Sequence, residues 1–225
     1  MKKDNKKKEL GRIAGLDDAT KGAKEQDVTK IEIETDYKSG ISERRRESYL
    51  GDALAQMLIQ QIKFELNNHY LYYNFAIWYD INSYFGQAAY FYHRAAEERT
   101  HAQWIIDYLN QADYLYAIPA TDPEHIDIYQ GQDPISFATA DHVQDPHNIT
   151  LDREIQTTRS INAIKRKAIE VNDYITDHWL RDLLLEQAEE ESLSHTALDI
   201  FQHTHDILVI DKYFKDVVMS QLEQG

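Results

Sequence analysis

Proline placement constrains this chain more than any other feature. Its four prolines, Pro119, Pro123, Pro134 and Pro146, all fall between residues 112 and 147. Proline lacks a backbone donor and its ring clashes with the preceding turn, so it breaks a helix interior. The proline-free stretches 47–111 and 148–222 are therefore free to be helical, and the segment between them reads as one long loop. Glycine agrees, because only Gly51 and Gly86 occur in those stretches, each near an expected helix start where its penalty matters least.

Periodicity resolves both stretches. At 100° per residue Leu54, Leu58, Glu65, Tyr72 and Ala76 lie within about 20° of one line, predicting a first helix over roughly residues 50–80, about 45 Å long. After the short polar segment from Asp80 to Gly86, a second helix carries Phe91, Ala95, Glu98, Ala102, Ile105 and Leu109 on one face. A third is marked by Ile161, Ile164, Ala168, Val171 and Ile175, a stripe that runs back to Glu154, with Asn172, Asp173 and Asp177 signalling the next turn. A fourth sets Leu183, Gln187, Glu190, Ala197 and Phe201 on one side, and Ile207 to Val218 predicts a shorter fifth. Two helix pairs separated by a crossover of about 36 residues describe an all-α four-helix bundle with one long crossover between its second and third helices. Residues 1–46 lack sustained periodicity and are expected as an extension, flexible or docked, to the domain at 47–225.

Composition narrows the chemistry. With no cysteine there is no disulfide scaffold, thiolate metal site or cysteine nucleophile, so any metal must be held by oxygen and imidazole. No apolar run approaches the roughly 18 residues of a membrane span, and the N-terminus MKKDNKKKEL is not followed by an apolar signal core, so a cytoplasmic protein without a membrane partner is expected. The net charge of −15 is uneven, residues 1–12 holding six Lys/Arg against two Asp/Glu. An acidic body with a basic tip disfavours broad nucleic-acid binding and attracts cations.

Each of the four stripes holds an acidic residue where an apolar one belongs: Glu65, Glu98, Glu154 and Glu190. Burying an ionised carboxylate costs several kcal/mol unless a cation or donor compensates, and a shared metal site would solve the problem for four in one core. His101, three residues after Glu98, shares its face and can reach the same ion. Hard oxygens with one imidazole suit iron or manganese better than zinc. In isolation the E-x-x-H motif is weak, since seventeen glutamates and ten histidines make roughly one such spacing expected by chance. The run from Glu186 to Glu191 reads by itself as a solvated face. What carries the metal reading is the conjunction of four inward acids on four helices.

Di-iron bundles commonly carry two E-x-x-H motifs, whereas this chain has one, and its fourth helix offers Gln187-x-x-Glu190 instead. In this it resembles the bacterial non-haem ferritins, over roughly residues 50–222. The resemblance rests on Glu65 followed seven later by Tyr72, on Glu97-Glu98-x-x-His101, and on Glu154 placed 33 residues before Gln187. It implies a ferritin-like bundle in which Glu65, Glu98 and His101 hold one iron. Glu98 bridges to a second iron held by Glu154 and Glu190, with Gln187 beside it. It also implies a third iron position at Glu97, Glu186, Glu189 and Glu190, and a neighbouring redox-active tyrosine at Tyr72.

The chain departs from the pattern at several points, the extension at residues 1–46 among them. The tryptophan usual five residues before the fourth-helix glutamine is Asp182, with Trp179 one turn earlier. Arg99 follows the bridging glutamate where haem-bearing relatives have methionine, so no haem is expected. The expected fifth helix also arrives a few residues early.

What the resemblance implies is a ferroxidase that oxidises Fe(II) with dioxygen or hydrogen peroxide and stores the Fe(III) as mineral in a homo-oligomeric cage of about 24 chains. Two other functions fit parts of the sequence. One is a di-iron peroxidase or oxygenase of rubrerythrin type without mineral storage. The other is a ferritin-like cage that binds DNA or a partner through its basic tip, although nucleic acid is not the expected partner.

Overall fold

The computed structural model describes residues 48–121 and 140–222. The N-terminal extension expected at 1–46 lies outside the described residues. Four long helices make the body: α1 (Asp52–Ile81), α2 (Phe85–Gln111), α3 (Ala140–Glu170) and α4 (Tyr174–His203). A short C-terminal segment follows as α5 (Ile207–Tyr213), a π-helical turn (Phe214–Val218) and α6 (Met219–Leu222). No strand occurs among the described residues. The bundle packs as two antiparallel hairpins, α1 with α2 and α3 with α4, joined chiefly where α1 meets α3. No described helix is long and apolar enough to cross a membrane.

The turns follow local chemistry. Ser83 and Asn172 adopt the left-handed conformation that reverses the chain between α1 and α2 and between α3 and α4. Asp173 then caps α4, its carboxylate accepting the Thr176 backbone N–H at 3.0 Å and the Thr176 hydroxyl at 2.5 Å. Asp206 caps α5 in the same way, through the backbone N–H groups of Leu208 and Val209.

Two expectations need correction. The third helix starts before Pro146, so the crossover is shorter than the proline pattern implied. Pro146 lies early in α3, its carbonyl accepts the Thr150 hydroxyl at 2.8 Å, and Tyr79 donates to the Val143 carbonyl from the facing helix. The ladder bond a proline forfeits is confined to the second turn of the helix. Val171 and Ile175 are also exposed rather than core residues, because α3 stops at Glu170 and the left-handed Asn172 turns the chain out of the stripe.

Gly86 has a role its sequence position did not reveal. A Cβ there would lie 2.1 Å from the Asp211 carbonyl oxygen and 2.8 Å from the Lys215 nitrogen. The start of α2 thus meets the C-terminal segment backbone to backbone. In that contact the Asp211 carboxylate accepts the Gln87 backbone N–H at 3.0 Å, satisfying a first-turn donor that Tyr84 leaves uncapped.

The core divides in two. One apolar cluster gathers Leu54, Leu58, Ile62, Ile105, Leu109, Ile161, Ile164 and Leu183. The other gathers Leu71, Phe75, Tyr79, Phe91, Phe201, Ile210 and Phe214. Between them, in each of the four long helices, fall the buried polar residues that build the site.

Candidate metal centre

Glu65 on α1, Glu98 and His101 on α2, Glu154 on α3 and Gln187 and Glu190 on α4 all point inward, none more than 4% exposed. They gather into overlapping groups, with ligand atoms within 4.8 Å of one another: Glu65, Glu98 and His101; Glu98, Glu154 and Glu190; and His101, Glu186 and Glu190. Glu98, His101 and Glu190 are each shared between two groups.

Glu154 is fully engaged. Its Oε1 accepts the Tyr72 hydroxyl at 2.7 Å and Arg94 Nη2 at 2.7 Å, while its Oε2 accepts Gln187 Nε2 at 2.9 Å. Tyr72 is itself fully buried. Burial and the nearby Glu154 charge push its hydroxyl well above the ordinary tyrosine value, which keeps it a donor. Glu65 is half engaged: Gln61 donates to Oε1 at 2.8 Å, and Oε2 receives no donor. Neither oxygen of Glu98 receives one, nor does Oε2 of Glu190.

Electrostatics follows from this arrangement. Burial pushes the Glu65 carboxyl up to about 7, despite the neighbouring Glu98 carboxyl and Gln61 amide. Burial, reinforced by the Glu154 charge, holds Glu98 well above the usual carboxylate range. Glu190 is also raised, burial outweighing the opposing charge of Arg94. His101 is held down at about 4 by burial and then by Arg94, so its imidazole is neutral with a lone pair to offer. Four buried carboxyl oxygens without donors, beside a neutral imidazole, form a donor set that fits a hard divalent cation.

The outer residues separate. Glu186 is part-exposed and lies 3.8 Å from His101 Nε2. Glu97 turns toward His93 and Arg94, at 3.3 and 3.0 Å. Burial would raise its carboxyl, but His93 and Arg94 outweigh this and hold it below the ordinary value. Glu189 is exposed and belongs to none of the gathered groups. Asp182 is exposed beside Arg181, and with Trp104, Trp179, Leu183 and Glu186 it lines a cavity of about 200 Å³. Trp179 stacks on Tyr108 with ring centres 4.2 Å apart.

Residues 55–203 match the ferritin-like domain of the Ferritin family. The chain belongs to the ferritin-like family. It is 27% identical to a bacterial non-heme ferritin of Campylobacter jejuni over 176 residues, which cover 76% of this chain and 98% of that protein. With a bacterial non-heme ferritin of Escherichia coli it shares 28% over 146 residues, 65% of this chain and 81% of the other. Among solved structures, an open pore ferritin from the archaeon Archaeoglobus fulgidus superposes with a TM-score of 0.60 at 20% identity, covering 74% of this chain and 97% of that one. A variant of PmFTN soaked in iron superposes at 0.58 with 25% identity, covering 75% and 99%.

In this ferritin-like chain one central residue escaped the sequence reading. Arg94 is 1% exposed, and its guanidinium donates to Glu154, Glu190 and Glu97. It stands one turn before Glu98, on the same helical face, and that register was the available signal. Gln61, one turn before Glu65, was missed in the same way. A search for acids on apolar stripes passes over the groups that hold those acids in place.

Proposed function

We propose that this chain is a ferritin-type ferroxidase and iron-storage subunit. Its substrates are two Fe(II) ions, one taken by Glu65, Glu98 and His101 and the other by Glu98, Glu154 and Glu190. Each Fe(II) yields one electron. Together they reduce dioxygen, with two protons, to hydrogen peroxide, or hydrogen peroxide, with two protons, to two waters. Anionic oxygens favour the more highly charged Fe(III) product, so the ligand set drives the oxidation forward.

Each residue of the chain has its part. Gln187 and Tyr72 fix the two oxygens of Glu154 by donating to them. The neutral His101 offers nitrogen without first losing a proton. Glu65 and Glu98 release their protons as the dication enters.

The observation that carries the reading is the set of donor-less carboxyl oxygens on Glu65, Glu98 and Glu190, buried together beside His101. Membership of the ferritin-like family and similarity to non-heme ferritins support iron as the metal. The Fe(III) is then stored as a hydrous oxide in a closed homo-oligomeric cage. Exposed Tyr70, Tyr73, Ile77 and Ile81 on the outer face of α1 support self-association. We place the activity in the cytoplasm, a reading that the similarity to bacterial non-heme ferritins supports.

The test is the initial rate of Fe(III) formation after Fe(II) is mixed with the metal-free protein in air. Glu98→Ala removes the shared ligand and relieves buried charge, so it should fold yet lose rapid oxidation, by on the order of a hundredfold or more. A wild-type rate in that variant would refute the site.

A further inference from the structure

The two halves of the site are unequal, and Arg94 is the reason. Its Nη2 lies 2.7 Å from Glu154 Oε1 and its Nη1 2.9 Å from Glu190 Oε1. Those two carboxylates, with Glu98, form the second of the gathered groups. The guanidinium therefore engages two of the three carboxylates that would hold the second dication. The first group is different: among the described residues no guanidinium or amide reaches Glu65 Oε2 or either Glu98 oxygen, and the two neighbouring carboxyls share a hydrogen bond with each other. Arg94 also has somewhere to go. Its Nη1 already reaches Glu97 Oε2 at 3.0 Å, and Glu97, 24% exposed, lies toward solvent and toward His93.

We propose that Arg94 is a built-in counter-cation of the second metal subsite, and that a second divalent cation binds only by displacing its guanidinium from Glu154 and Glu190 toward Glu97. This rests on reading the carboxylate cluster as a dication site. A fixed positive charge compensates the second pair of acids in the metal-free protein, where unpaired they would be costly. It also makes filling sequential. The first dication meets no fixed cation at Glu65, Glu98 and His101. The second must break two short, buried, charge-assisted hydrogen bonds before its ligands are free. Arg94 is thus a positioning and specificity residue: it sets the order of loading and biases the second subsite against cations too weakly bound to move it.

The experiment is titration of the metal-free full chain with Co(II), followed by its visible absorption, for wild type, Arg94→Gln and Arg94→Lys. Wild type is expected to take one equivalent tightly and a second more weakly, by on the order of a hundredfold. Arg94→Gln should take both with similar affinity, and Arg94→Lys, which keeps a charge on a different stem, should restore part of the gap. Two equivalents of equal affinity in wild type, or a wild-type pattern in Arg94→Gln, would overturn the role of Arg94 and leave the metal reading standing. No Co(II) bound by any of them would overturn both. If Arg94→Gln does not fold, anomalous diffraction from wild type at one equivalent of Co(II) decides. Density among Glu65, Glu98 and His101 with Arg94 in place supports the proposal, and density among Glu98, Glu154 and Glu190 overturns it.

Discussion

Glu65 shows how a single buried side chain ties function to stability. Its carboxyl titrates near 4.5 in the unfolded chain and is pushed up to about 7 by burial in the bundle. Between those values the folded form keeps a proton that the unfolded form releases. The stability this group confers is therefore complete below its unfolded value and is lost as pH rises through about 7. The metal-free protein should melt at a lower temperature at about pH 8 than at about pH 5, more steeply in wild type than in Glu65→Gln. A bound dication replaces the proton and should flatten the slope. Parallel melting curves for the two proteins would contradict the burial of an unpaired acid at this position. The inward acids were legible in the sequence because each interrupts an apolar stripe, a place where solvation cannot explain it. Arg94 was not, because a long cationic side chain on such a stripe ordinarily bends its charge out to water, and only its contacts to the buried Glu154 and Glu190 and the half-buried Glu97 hold this one in.

The helices are set by signals of different reach. Punctuation by Pro and Gly, together with the apolar stripes, located all four long helices, since those signals act within a turn or two. Asp173 is such a local signal, capping α4 through Thr176. Asp173→Ala should cost about 1 kcal/mol, read from denaturant unfolding. An unchanged midpoint would mean the cap is satisfied elsewhere. Gly86 is the opposite case. By local propensity alone, alanine near a helix start would be neutral or stabilising, but here its methyl would meet the Asp211 and Lys215 backbone. Gly86→Ala should cost about 1–3 kcal/mol and loosen the C-terminal segment first, detected as faster amide exchange over residues 207–218. Equal or greater stability would show that the segment shifts at no cost. The early start of α3 was hidden because a proline in the second turn forfeits only one ladder bond, while Tyr79 of α1 ties down the Val143 carbonyl through a contact that no local pattern encodes.

Across the whole molecule, two apolar clusters bracket one polar layer. The clusters supply cohesion, and the layer is left to carry charge that the fold alone would not favour. The layer was visible in the sequence as four displaced glutamates. The outer faces were not, because Tyr73, Ile77 and Ile81 fall outside the buried stripe, and exposed apolar residues are common enough on surfaces to carry no signal of their own. If such faces close a cage around a cavity, the bundle site is a point of entry and the cavity is the store. The most direct measurement is aerobic Fe(II) loading of the full chain, followed by gel filtration with iron counted per chain in the eluted peak. A cage-sized peak carrying many more iron atoms per chain than the bundle site can hold is the predicted result. Iron limited to about two per chain, the complement of the bundle site alone, would contradict storage. A peak without iron would contradict the metal centre itself.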